Sequence, residues 1–80
     1  MAFYFFHIRD GSNLVVDVEG QDLPDLESAK HFALICVRDI LSDEMRKGIL
    51  NLGIRLDVAA ATNTVVYTVL AREAFAEIGP

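Results

Sequence analysis

The polar residues best placed for chemistry lie near the start of the chain: His7 and Arg9, then Asp17 ten residues after the histidine. In a strand, positions i and i+2 share a face, so His7 and Arg9 project together. If the chain turns back on itself, Asp17 comes within diagonal reach across the strand pair. A carboxylate beside an imidazole can orient the ring as a general base. That chemistry also needs a nucleophile, and the spacing supplies none. Ser12 falls in a turn, and Cys36, the single cysteine, falls in an apolar helical stripe. His7, Arg9 and Asp17 therefore read as a polar cluster that stabilises a strand pair or lines an interface, with no catalytic residue expected, an enzyme using these three residues being the last alternative. His31, the other histidine, sits on the polar side of a helix and reads as solvated.

Metal and cofactor sites fare no better. Zinc and related ions need three or four converging ligands, and the chain has no H-x-x-x-H or C-x-x-C spacing. The segment DGSNLVVDVEG has the acidity of a calcium loop, but Val15 and Val16 stand where ligands should alternate and no helix precedes it. The glycines are scattered and form no phosphate-binding loop. No cofactor is expected.

The elements that must position these residues follow from the hydrophobic pattern. AFYFFHIR, residues 2–9, is a strand rich in aromatic residues. DGSN, residues 10–13, is a hairpin turn, and residues 14–20 return as a second strand. A three-residue loop, Asp10-Gly11-Ser12, would set Tyr4, Phe6 and Ile8 against Val18, Val16 and Leu14, giving one wholly apolar face. That register is the one expected. The opposite face then carries Phe3, Phe5, His7, Arg9, Val15 and Asp17.

Residues 23–48 hold the long helix, with Asp25 as N-cap, Glu27 near its positive end, Arg46 and Lys47 near its negative end, and Gly48 closing it. Leu26, Ala29, Ala33, Cys36, Val37, Ile40 and Leu41 form its core stripe. Phe32 and Ile35 fall outside the stripe. Residues 49–60 carry a third strand in which Ile54, Leu56 and Val58 alternate with Arg55 and Asp57. ATNT, residues 61–64, turns the chain into a fourth strand over 65–70, and residues 71–80 suit a short helix with Leu70, Ala74, Phe75 and Ile78 as its apolar positions. The expected fold is α+β: hairpin, helix, hairpin, with a four-stranded antiparallel sheet and one long helix on one face.

The chain has 80 residues and reads as one domain over 1–80. It carries 52% hydrophobic residues and no possible internal disulfide. A domain this small buries only roughly 60% of its unfolded surface, so surplus oil argues for a partner. Phe3 and Phe5 on the second sheet face, with Phe32 and Ile35 on the helix, are the candidate interface of a homodimer. Seven basic residues against twelve acidic give a net charge of −5, which disfavours direct contact with nucleic acid. No apolar run approaches a membrane span, and no signal peptide is read at the N-terminus. A lone cysteine suits a reducing compartment, so a cytoplasmic setting is expected.

The string YFFHIRDG (residues 4–11), followed by Asp17, Gly20 and LPDLESA (residues 23–29), resembles an uncharacterised family of small alphaproteobacterial proteins. That family shows a YFFH-x-RDG string, an acidic strand ending in Gly, then LPDL-x-x-A and one helix. The resemblance covers the first thirty or so residues; AAATNT and LAREAF depart from the family's usual turn and ending. It implies the α+β fold and a bacterial cytosolic setting, and no activity. In topology and acidity the chain is also similar to antitoxins of the HicB type, which implies a small basic toxin as an alternative protein partner.

Overall fold

The computed structural model describes residues 2–48 and 51–78, with side chains through residue 74. Its elements are β1 (Ala2–Asp10), β2 (Asn13–Val15), β3 (Gln21–Leu23), α1 (Leu26–Arg46), β4 (Ile54–Ala60), β5 (Val65–Leu70) and α2 (Ala71–Ile78). The sheet is antiparallel in the order β2-β1-β4-β5, and β3 pairs the other end of β1 on the same side as β2. The fold is thus α+β, with five strands where the pattern predicts four.

The extra strand comes from a break in the return strand expected over residues 14–20. β2 pairs the end of β1 through Ile8↔Val15, Arg9↔Leu14 and Asp10↔Asn13, so the hairpin loop holds two residues, Gly11 and Ser12. This overturns the expected three-residue loop. After Val15 the chain leaves the sheet and re-enters at Gln21, where β3 pairs Ala2↔Leu23, Phe3↔Asp22 and Tyr4↔Gln21. Hydrophobic pattern alone favours Val16 and Leu14 on the core face. The observed register instead sets Leu14 beside Arg9 on the other face, and replaces Val15 there. A polar bond compensates: Asp17 takes the hydrogen bond of the Phe6 amide, which the break would otherwise leave unpaired on this edge.

One face of the sheet is covered. Phe6, Leu56, Val58 and Val69 meet Ala29, Ala33, Val37 and Leu41 of α1 in a single core, which Ala71 and Ala74 of α2 complete. Leu26, Cys36 and Ile40 pack at its margin, so the predicted helical stripe lies on the sheet. Ala29 and Ala33 are fully buried, and their small side chains bring the helix backbone close to the strands. Asp25 caps α1, its carboxylate accepting from the Ser28 amide at 2.8 Å, and Gly48, at φ +81, follows its end. Phe75 and Ile78, predicted as apolar positions of α2, lie outside the described side chains, as do Ile49 and Leu50 before β4.

Between β4 and β5 the register shifts: Val58 pairs Tyr67 while Ala59 pairs Val65. Val66 is therefore an unpaired bulge residue, and Val65 returns to the face away from the helices. The turn places Asn63 at φ 65, a conformation asparagine tolerates better than most residues.

Candidate functional site

The face away from the helices holds the polar groups. Alternation along β1 puts Phe3, Phe5, His7 and Arg9 there, and the β1–β4 register sets Phe5 against Ala59, His7 against Asp57 and Arg9 against Arg55. From β5, Thr68 stands beside Asp57. The face is graded: aromatic and apolar at the Phe3 end, cationic at the Arg9 end, with His7 and Asp57 between.

Asp57 is buried, with only 7% of its surface exposed, although it lies on the sheet face that no helix covers. Its neighbours shield it. Thr68 Oγ1 donates to Asp57 Oδ1 at 3.0 Å, and Arg9 Nε donates to Oδ2 at 3.4 Å. Arg55 Nε lies 3.3 Å from Oδ1 as an ion pair without a directed hydrogen bond. A buried carboxylate is tolerable only when paired and hydrogen-bonded, and this one is both.

Asp17 is held differently. Its Oδ2 accepts from the Phe6 amide at 3.1 Å, and its Oδ1 accepts from the amides of Glu19 and Gly20, each at 3.2 Å. Burial pushes the carboxyl up, but hydrogen bonds from Gly20, Phe6 and Glu19, with His7 nearby, outweigh it and hold the group below its ordinary value. Gly20 is itself forced by this turn. It sits at φ +75, and a Cβ there would come within 2.8 Å of the Phe5 ring and 3.1 Å of the Tyr4 carbonyl oxygen.

The structure thus brings His7 and Asp17 together, but through the backbone. The Asp17 amide donates to His7 Nδ1 at 3.1 Å, so Nδ1 is the acceptor in this contact. Arg9 turns instead to Asp57. Reading the sequence missed Asp57, Arg55 and Thr68. Their signal was present: His7-x-Arg9 and Arg55-x-Asp57 are each polar at i, i+2 on the side of the strand opposite its apolar positions. Pairing the two strands makes them meet.

A cavity of about 350 Å³ opens between His7, Arg9, Asp57, Leu14 and Val65. A smaller one of about 220 Å³ lies toward Phe5, Asp17 and Asn63, and one of about 320 Å³ lies between Arg9, Arg55, Gly11, Gly53 and Leu70. A shallow groove of about 510 Å³ runs along α1 on the other side of the molecule, between Leu23, His31, Phe32 and Ile35. Of the candidate interface residues, Phe3 is 48% and Ile35 42% exposed, and Phe5 is partly buried. Phe32 packs its ring 4.8 Å from that of Phe6, at the margin of the core.

Among the described residues no three His, Cys, Asp or Glu side chains converge as a metal site would require. Cys36 is partly buried. Desolvation raises its thiol pKa above the ordinary value, and the charges of Asp39 and Asp17 raise it further, so the nucleophilic thiolate is scarce at neutral pH. No helix among the described residues is long and apolar enough to cross a membrane.

The fold and this face define a two-layer α+β domain, helices on one side of an antiparallel sheet and a polar cluster with an apolar border on the other. A family model described as a domain of unknown function, DUF6894, matches residues 3–72, and the chain belongs to that family. No curated protein and no solved structure matches the chain.

Proposed function

We propose that the protein is a non-enzymatic binding domain of the cytoplasm that works as a homodimer, with a second copy seated on the uncovered sheet face. The observation that carries this reading is the exposure of Phe3 (48%), Leu14 (47%), Val16 (54%) and Val65 (53%) on that face. They come from three separate segments, yet the fold brings them to one side of the sheet. Several large apolar residues exposed on one face mark an association site. A two-fold partner is the simplest occupant, because an isologous contact needs only a surface that complements itself.

The geometry of the two carboxylates favours binding over catalysis. Asp17 is engaged by three amides, and Asp57 by two arginines and a threonine. Neither is left to orient His7 as a base. Sedimentation equilibrium at micromolar concentration tests the reading. A mass twice the 8.9 kDa of the chain is expected, falling to the monomer in Val65→Glu. A stable monomer of the unaltered chain overturns it.

A further inference from the structure

Arg9 and Arg55 are direct cross-strand partners on one face of the sheet. Like charges placed so are destabilising unless a counter-charge lies between them. Asp57 supplies one negative charge for two guanidinium groups, and both approach it through Nε. Their terminal nitrogens have no partner among the described residues, and the side chains are 47% and 43% exposed. Among the described residues, each guanidinium thus has acceptors for few of its five N–H donors. Asp10, the nearest acidic residue along β1, alternates to the other face and is engaged by Asn51.

Arg9 and Arg55 line the cavity of about 320 Å³. Its other walls are Gly11 and Gly53, which bring no side chain, and Leu70. Apart from its own chain neighbours, no described atom lies within 4 Å of where a Gly11 Cβ would stand. Arg9, Arg55 and Asp57 together carry one positive charge in excess, with the Glu73 carboxylate nearby on the Leu70 amide, on a chain whose net charge is −5. Paired guanidinium forks match the two oxygens of a planar carboxylate.

We propose that Arg9 and Arg55 form a binding site for the carboxylate of a small organic monoacid, with Leu70 against its apolar part. One negative charge completes the neutralisation that Asp57 leaves half done. The site lies six residues along β1 from Phe3, about 20 Å at the rise of a strand. It is far from Phe3 but adjoins Leu14, which pairs with Arg9 and belongs to the face proposed for the second copy.

The test is an NMR titration of the full chain with sodium butyrate, sodium chloride holding ionic strength constant, following the Arg Nε–H signals and the Gly11 and Gly53 amides. Saturable shifts confined to these groups are expected, with affinity at least tenfold weaker in Arg55→Gln. Because that change also unpairs Asp57, Arg55→Lys serves as a second variant, keeping the charge but not the fork, and its binding should weaken too. Absence of saturable shifts, or equal affinity in a folded Arg55→Lys, overturns the proposal. Tighter binding of inorganic phosphate than of butyrate overturns the assignment to a carboxylate.

Discussion

Asp17 carries more structure than any other exposed-looking polar residue among those described. Its carboxylate replaces a strand's worth of partners for the Phe6, Glu19 and Gly20 amides, and its own amide orients His7. Asp17→Asn can retain the contacts only in part, since an amide group offers one acceptor oxygen where the carboxylate offers two. The substitution should cost about 1–3 kcal/mol at neutral pH, read from urea unfolding. The dependence on pH has a definite sign. The folded carboxyl is depressed, so its contribution is full above the unfolded value of about 3.9 and is lost as pH falls through the lower folded one. Asp17→Asn should therefore flatten the acid limb of the stability profile. Some slope will remain from Asp25, depressed by the Ser28 amide, and from Asp43, depressed by Lys47. An unchanged acid limb would show that the carboxylate does not hold the turn.

At the scale of elements, the turn between β2 and β3 is the fold's tightest demand. Gly20→Ala should destabilise by about 1–3 kcal/mol, from a left-handed alanine backbone and a displaced Phe5 ring. Thermal unfolding measures it, and a neutral result would mean that the 16–20 segment does not hold this conformation. The same segment marks the limit of what was legible beforehand. The cap at Asp25, the stripe from Ala29 to Leu41 and the alternation Ile54-Leu56-Val58 are local periodic signals, and each appears in the structure where the spacing puts it. The hairpin register was misread because apolar pattern weighed Val16 and Leu14 as core residues, while the competing bond from Asp17 to the Phe6 amide leaves no periodic trace. Arg55 and Asp57 looked like ordinary outward-facing positions. Their meeting with Arg9 and His7 depends on a β1–β4 pairing that spans some fifty residues of sequence, and no local pattern reports it.

At the scale of the molecule, both helices lie on one side of the sheet and leave the other side to a mixture of aromatic, aliphatic and ionic groups. A domain of 80 residues commonly has only about 4–12 kcal/mol of stability. Leaving Phe3, Leu14, Val16 and Val65 in water forgoes burial worth about 25 cal/mol for each Å² covered. Association over this face would recover part of that and would shelter the Asp57 cluster further. The direct measurement is a ¹H–¹⁵N correlation spectrum recorded over a dilution series from millimolar to low micromolar protein. Association over the bare face predicts concentration-dependent shifts at Phe3, Phe5, His7, Leu14 and Val65, with the amides along the His31 and Ile35 side of α1 unmoved. Shifts confined to the α1 side, or a spectrum independent of concentration with a monomer's relaxation, would contradict it.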